Sequence, residues 1–174
     1  MKDFETFTNE NLLVPRNLEG RKEKLKQMNI KLLSQEVIDI DLDIDKSFMD
    51  IDPKFIKLKK VNGDVLLSGK LWTEIPAWLK DVEIEGYFIC SFNKLTTLKN
   101  CPHDIGGILT CSYNKLTSLE GCPENIKTDF NCSNNKLTTL QYCPKYIGGH
   151  LYCHKNKIKL ELPEYIKLKG EFKN

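Results

Sequence analysis

The chain has 174 residues and a formal net charge of +2 at pH 7. A balance so close to neutral gives no general attraction to nucleic acid or to an anionic membrane. No apolar run approaches the roughly 20 residues of a membrane span, and the acidic residues near the amino terminus do not suit a signal peptide. We therefore expect a cytoplasmic protein without a membrane partner, made of one domain or of one small domain joined to a short repeat array.

The amino-terminal part, residues 1–62, predicts a small α+β region. Apolar residues at 25, 28, 32 and 33 have the spacing of one helical face. Residues 37–45 alternate apolar residues with aspartate, which is typical of a half-buried strand, and residues 55–61 predict a second strand. We expect this region to pack as a cap on the part that follows, with the aspartates opposite Lys57 and Lys59.

The row of aspartates at 39, 41, 43 and 45 also has a metal alternative. Hard cations such as Mg²⁺ and Ca²⁺ bind carboxylate oxygens. The segment lacks the glycine and the distal glutamate of a calcium loop, so a solvated strand face is favoured and no metal site is predicted.

The rest of the chain is built on a short repeat of constant length. Cysteines return at a fixed interval in two series, and so does asparagine, each time with an apolar residue five positions before it. A fixed period indicates one supersecondary unit stacked on its copies. The two cysteine series are Cys90, Cys111, Cys132, Cys153 and Cys101, Cys122, Cys143; the asparagines are Asn93, Asn114, Asn135 and Asn156, and the residue two after each is Leu95, Leu116, Leu137 and Ile158.

This spacing matches the end of the pattern L-x-L-x-x-N-x-L with Cys as the middle residue, so the chain resembles leucine-rich-repeat proteins over roughly residues 65–172. The run N-K-L-T-S-L-E-G-C-P is most similar to small intracellular repeat proteins of bacteria, tailed phages and giant viruses. The resemblance implies a right-handed, α/β or mostly β solenoid with a parallel sheet over residues 63–174. Its expected parts are a degenerate first coil at 65–83, repeats at about 84–104, 105–125, 126–146 and 147–167, and a terminal strand to 172.

The residue pattern does not predict catalysis or a cofactor. Zinc sites use close pairs such as C-x₂-C, whereas these cysteines alternate 11 and 10 residues apart and are expected to be packed free thiols. His150 and His154 would lie about 13 Å apart on a strand, with Cys153 on the opposite face. No nucleophile–base pair, glycine-rich phosphate loop or HExxH motif is present. We expect no metal, no catalytic residue and no small-molecule substrate.

The candidate binding surface is the concave face of the predicted sheet. Residues between the inward positions of each strand should face solvent there, among them Ser91, Ser112 and Ser133. Exposed aromatic and aliphatic residues at one end would form a patch of the kind that anchors interfaces. The predicted partner-binding residues are Tyr87, Ile89, Phe92, Ile108, Thr110, Tyr113, Asn131, Asn134, His150, Tyr152 and His154.

We therefore expect a non-catalytic module that binds another protein. The phage-like resemblance implies that this partner is a host protein and that the module acts in the host cytoplasm. One alternative is a nucleic-acid-binding protein that uses a basic column, which the near-neutral charge disfavours. Another is a structural protein that self-associates. The basic column consists of Lys94, Lys115, Lys136 and Lys157.

Overall fold

The computed structural model describes residues 18–45, 48, 51–157, 159 and 161–174. Residues 1–17 of the predicted cap and Ile158 of the repeat pattern lie outside the described residues. Helix α1 spans Leu18–Leu33, and two short 3₁₀ helices span Pro53–Phe55 and Ala77–Asp81. The strands are β1 Val37–Ile38, β2 Leu42–Asp43, β3 Lys60–Val61, β4 Val65–Leu66, β5 Glu83–Ile84, β6 Phe88–Ile89, β7 Leu109–Thr110, β8 Asn125–Ile126, β9 Phe130–Asn131, β10 Tyr146–Ile147, β11 Leu151–Tyr152, β12 Lys167–Leu168 and β13 Phe172–Lys173.

These strands form a parallel β-solenoid, as predicted. A seven-stranded sheet, here called the long sheet, has the order β13-β11-β9-β7-β6-β4-β2. Two three-stranded sheets, β1-β3-β5 and β12-β10-β8, hold the other strands, and an isolated bridge joins Ile84 to Ile105. Successive neighbours in the long sheet are one coil apart. Coils 1 to 6 begin at residues 37, 60, 83, 104, 125 and 146, and a partial seventh begins at 167.

The coils have two lengths. Val65 pairs with Phe88, 23 residues further on, whereas Phe88 pairs with Leu109, 21 residues further on. The same change occurs in the three-stranded sheets, where Lys60 pairs with Glu83 but Tyr146 pairs with Asn125. The number of residues between the strand of the three-stranded sheet and the strand of the long sheet is the same in coils of both lengths. The two additional residues of coils 1 and 2 therefore lie after the strand of the long sheet, in the arc that leads to the next coil.

The solenoid includes strands on both sides of residue 62. The prediction of a single strand over residues 37–45 was wrong, because β1 and β2 belong to different sheets and a corner separates them. Ile40 lies in this corner and is 57% exposed, while Ile38, Leu42 and Ile44 are buried. The residue types go on alternating through the corner while burial does not, because Ile40 is exposed between two exposed aspartates, so alternation in the sequence does not distinguish one strand from two. The strand predicted over residues 55–61 is confined to β3.

The predicted pairing of the aspartates with Lys57 and Lys59 was also wrong. Lys59 forms an ion pair with Glu36 at 2.9 Å, and Asp43 pairs with Lys70 in the next coil. In a stacked solenoid the nearest partner of a side chain lies one coil away, at the same position of the repeat. These exposed pairs contribute little stability each but favour the correct register.

The core is a set of inward columns that run along the solenoid. Large buried side chains alternate with cysteines on the inner side of the long sheet, and the described residues contain no disulfide. Leu33 at the end of α1 is fully buried, and its carbonyl accepts hydrogen bonds from the N–H groups of Lys57 and Leu58. The inner columns of the repeats consist of Phe88, Leu109, Phe130, Leu151 and of Cys90, Cys111, Cys132, Cys153.

Candidate functional site

The repeated asparagines hold the turns that follow strands β6, β7, β9 and β11 of the long sheet. The side chain of Asn135 is 8% exposed, and its Oδ1 accepts a hydrogen bond from the N–H of Leu116 at 3.0 Å. Its Nδ2 donates to the carbonyl oxygens of Cys111, Cys132 and Ser133 at 3.1, 3.0 and 3.2 Å. One amide thus satisfies backbone groups of two neighbouring coils. The predicted asparagine ladder is confirmed.

A second repeated feature is the residue directly before this asparagine position, which we call the left-handed slot. In coils 2 to 5 its backbone N–H donates to a carbonyl of the next coil, for example from Gly69 to Ser91 O and from Phe92 to Ser112 O. The φ angle is positive in every coil that shows the slot. The slot residues and their φ angles are Gly69 71°, Phe92 57°, Tyr113 54°, Asn134 56° and Lys155 54°.

The slot carries two aromatic residues although its backbone favours glycine. Positive φ is common for Gly and tolerated by Asn, which is what coils 2 and 5 contain at Gly69 and Asn134. For an ordinary L-residue this conformation costs roughly 1–2 kcal/mol. Phe92 and Tyr113 therefore carry a conformational cost that the neighbouring coils avoid. Such an outlier is a reason to look for a function.

The two aromatic rings lie side by side on the surface. Phe92 is 58% exposed and Tyr113 is 47% exposed. Their ring centroids are 4.4 Å apart and their planes differ by 9°, so the rings are stacked. The coil-to-coil distance of about 4.8 Å sets this spacing. The pair forms a flat apolar surface that is open to solvent.

The other predicted partner-binding residues have different degrees of exposure. Tyr87 is 45% exposed, and the remaining ones are half-buried on the outer side of the long sheet or at its corner. The Nδ1 atom of His150 accepts a hydrogen bond from the N–H of Glu171 at 2.9 Å, so this ring already holds the last coil. The half-buried residues are Ile89, Ile108, Thr110, Asn131, Asn134, His150, Tyr152 and His154.

The expectation that the strand-end serines face solvent was wrong. Ser91 and Ser112 are buried, with their Oγ atoms 3.0 Å apart, and Ser133 Oγ lies 3.1 Å from Nδ1 of His154. A serine side chain is short, so taller neighbours cover it, and its hydroxyl finds a partner one coil away. Their hydroxyl groups thus connect neighbouring coils.

The basic column flanks the aromatic pair. Lys94 and Lys115 each lie two residues after a ring, and all four lysines of the column are exposed. Among the described residues none of the four ammonium groups forms an ion pair, in contrast to Lys127, which pairs with Asp104 at 3.0 Å. The column therefore leaves positive charge beside an apolar surface.

The cysteines remain thiols in the core. Burial disfavours the thiolate and raises the pKa of Cys90 to about 12 and that of Cys153 to about 11. Among the described residues, no group of three or more His, Cys, Asp or Glu side chains is placed to hold a metal ion. Within the same residues, no helix combines the length and the apolar character that crossing a membrane requires.

The fold and this surface define a parallel β-solenoid repeat protein whose coils 3 to 6 share one length. Comparison with protein-family models, with curated proteins and with solved structures gives no match for this chain.

The sequence pattern indicated Phe92 and Tyr113 as surface residues but not their backbone conformation or their relation to Gly69. The residue types at the slot contain the signal, because Gly69 and Asn134 are typical of positive φ. Gly69 aligns with Phe92 only when the longer spacing of coil 2 is recognised. That spacing is not apparent from the cysteines, which begin at coil 3.

The strain at the slot predicts a gain in stability when the rings are removed. In the double variant Phe92→Gly with Tyr113→Gly, two conformational costs of roughly 1–2 kcal/mol each are relieved and one aromatic stack worth about 0.5–1.5 kcal/mol is lost. We expect the free energy of unfolding to rise by about 1–2 kcal/mol in urea denaturation. The matched control Asn134→Gly should change it little. A double variant less stable than the parent protein would contradict the strain argument.

Proposed function

We propose that this protein is a non-catalytic module that binds a protein partner through the outer face of the long sheet, at coils 3 and 4. The observation that carries the proposal is the stacked pair of Phe92 and Tyr113, exposed to solvent on backbone that favours glycine. Neither the conformational strain nor the exposure of two rings to water benefits the isolated chain.

Interface energetics support a role for these rings. Binding energy concentrates in a few aromatic anchors that become fully desolvated in the complex. Tyr87 adds a third exposed ring, and Ile89 and Ile108 add half-buried aliphatic surface between them. The remaining predicted residues, which are Thr110 in coil 4 and those of coils 5 and 6, are polar or aromatic and would form the polar rim of the same interface.

We also propose that the solenoid belongs to the leucine-rich-repeat class. The constant period of coils 3 to 6 and the asparagine that bonds to two coils support this assignment. The resemblance to repeat proteins of phages and viruses adds the proposal that the partner is a host protein in the host cytoplasm. That step rests on analogy of sequence.

The basic column supports a second candidate, a nucleic-acid partner. Lys94, Lys115 and Lys136 are exposed on successive coils, so successive phosphates of a nucleic-acid backbone could each contact one of them. Binding of that kind would weaken steeply between low and moderate salt and would not survive nuclease treatment of the captured material.

The test is affinity capture from lysate of the native host, with and without nuclease, followed by identification of the retained proteins. We expect the double variant Phe92→Ser with Tyr113→Ser to lose at least about tenfold in affinity for the captured protein. Tyr142→Ser is the matched control, because Tyr142 is 56% exposed, has a φ of 65° and lies outside the long sheet.

The lysines distinguish the two candidates. Lys94→Ala and Lys115→Ala should mainly change the salt dependence of binding. If these variants abolish capture, the ring variants do not, and nuclease removes the captured material, the nucleic-acid alternative replaces the protein-partner proposal.

A further inference from the structure

We infer that the partner inserts an aromatic side chain over Gly69, where it stacks on the open face of Phe92, and presents carboxylates to Lys94 and Lys115. The inference rests on the proposed function and names the chemistry that the surface recognises. Its basis is a gap in the column of left-handed slots.

The gap lies at Gly69. A Cβ atom built on this residue would have no other atom within 4 Å, so the space above it is open. Gly69 occupies the slot one coil before Phe92, as the hydrogen bond from its N–H to Ser91 O shows. Phe92 therefore has the ring of Tyr113 on one side and an unoccupied slot on the other.

The orientation of the rings directs the free face of Phe92 toward this gap. Parallel rings whose centroids are 4.4 Å apart, on coils about 4.8 Å apart, have their faces turned along the solenoid axis. The next position of the same stack lies one coil before Phe92, above Gly69. A flat group placed there would continue the stack in the offset geometry that aromatic pairs prefer.

The polar neighbours of Gly69 in the chain are already paired. The hydroxyl of Ser68 donates to the carbonyl of Ile89, and Lys70, the residue after the slot, has its ammonium group engaged by Asp43. The same coil also carries aliphatic surface, since Leu71 is 55% exposed and Leu66 is half-buried. The unoccupied surface offered to a ring inserted over Gly69 is therefore the face of Phe92.

The charge next to the stack selects the partner's chemistry. Lys94 and Lys115 follow the two rings and have no ion-pair partner among the described residues. Their charge disfavours a guanidinium as the stacking group and favours carboxylates beside it. An aromatic side chain within an acidic segment satisfies both conditions.

A single inserted ring fits this surface better than a row of nucleobases. Binding of single-stranded nucleic acid uses aromatic faces for successive bases. Among the described slots only Phe92 and Tyr113 are aromatic, because the slots on either side of them contain Gly69 and Asn134, so a row of bases would find no further ring on which to stack. We therefore assign the slot to a protein segment and treat nucleic acid as an outcome of the test.

The probes are short synthetic peptides. One has the sequence Asp-Glu-Trp-Glu-Asp with blocked ends; the others replace Trp by Leu, or replace the acids by lysine. A short oligothymidylate tests the nucleic-acid alternative. Binding to the full chain is measured by NMR titration, which follows the ring protons of the peptide and those of Phe92 and Tyr113.

We expect the acidic Trp peptide to bind, with upfield shifts of its ring protons from stacking. The Leu and Lys-flanked peptides should bind at least about tenfold more weakly. Gly69→Phe places the chain's own ring in the gap and should weaken binding of the Trp peptide at least about tenfold. Gly69→Asn, which positive φ tolerates as it does at Asn134, is the second blocking variant if Gly69→Phe does not fold. The control Tyr142→Gly, at another exposed position with positive φ outside the long sheet, should leave binding intact.

Equal binding of the Leu peptide, undiminished binding to Gly69→Asn, or no binding of the Trp peptide would overturn the inference. Tighter binding of the oligothymidylate than of every peptide would overturn it as well. The proposed function fails separately. If capture from lysate is lost in Phe92→Ser with Tyr113→Ser but intact in Gly69→Asn, the protein-binding proposal stands and the slot has no such role.

Discussion

Raising the pH to about 10 is expected to unfold this protein, because its core consists in part of thiols that cannot ionise while they are buried. In an unfolded chain a thiol titrates near its ordinary pKa of 9.0, whereas burial raises the pKa of Cys90 to about 12 and that of Cys153 to about 11. At a pH between the unfolded pKa and the raised pKa of the folded state, the unfolded chain has released a proton that the folded chain still binds. Stability is therefore fully present below about pH 9 and falls as the pH rises above it.

The expected size of this effect is large. Each thiol contributes a loss of about 1.4 kcal/mol per pH unit above its unfolded pKa. With six buried thiols the sum reaches roughly 8 kcal/mol at pH 10, which is comparable to the whole stability of an ordinary domain, about 5–15 kcal/mol. The six buried thiols are those of Cys90, Cys101, Cys111, Cys132, Cys143 and Cys153.

Urea denaturation at a series of pH values measures this loss directly. We expect the free energy of unfolding to be nearly constant up to about pH 8 and to fall steeply above pH 9. Cys90→Ala removes one titrating group and should reduce the slope by about 1.4 kcal/mol per pH unit, whatever its effect on absolute stability. A flat profile through pH 10 would mean that the thiols reach solvent and that the packing described for the inner columns is wrong.

Replacing Asn135 by alanine is expected to cost about 2–3 kcal/mol of unfolding free energy. The substitution leaves the N–H of Leu116 without its hydrogen-bond partner, inside a core that water does not reach, and the carbonyl of Cys111 keeps only the bond from Nδ2 of Asn114. Each buried polar group that loses its hydrogen bond costs about 1–3 kcal/mol. The loss should appear as a lower melting temperature in circular dichroism and a lower urea midpoint.

Two further variants make the measurement specific. Asn125→Ala makes the same chemical change at an exposed position of the same coil and should alter stability by less than about 0.5 kcal/mol. Asn135→Asp keeps the shape but turns a carboxylate oxygen toward three carbonyl oxygens, so it should be less stable at neutral pH than Asn135→Ala. Unchanged melting of both Asn135 variants would contradict the ladder.

Much of the repeat region could be predicted because its determinants are local and periodic. The constant spacing of Cys and Asn indicated the coil, and the alternation around Phe88 and Cys90 indicated which side chains are inward. The asparagine ladder followed from the need to satisfy backbone groups at a tight bend. Each of these inferences uses the identity of a residue and its distance to the next copy.

The amino-terminal coils could not be predicted in this way. They lack cysteine and are longer than coils 3 to 6, so the period that reveals those coils does not extend to them. The strict alternation of residue types at Ile38, Ile40 and Leu42 indicated a single strand, although the chain turns a corner there and Ile40 is exposed. Ion-pair partners were equally hidden, because they depend on which residues stack one coil apart.

Only part of the candidate site could be predicted from the sequence. Position in the repeat indicated that Phe92 and Tyr113 would be exposed, but their positive φ is the opposite of what aromatic side chains favour. Serines were assigned to the surface by alternation alone, whereas burial at Ser91 depends on the height of its neighbours. The backbone conformation at the slot and the extent to which neighbouring side chains cover a serine depend on the packing of adjacent coils. The sequence of a single repeat does not determine that packing.

The equal length of coils 3 to 6 has an evolutionary consequence. Because Phe88, Leu109, Phe130 and Leu151 are in register at equal intervals, gain or loss of one whole coil by an in-frame duplication or deletion leaves every inward side chain inward. The molecule can thus change its length in single steps without rebuilding its core. Each step adds or removes one row of outward residues, so the lineage could acquire a new recognition surface by copying a unit and then altering only the positions that face solvent.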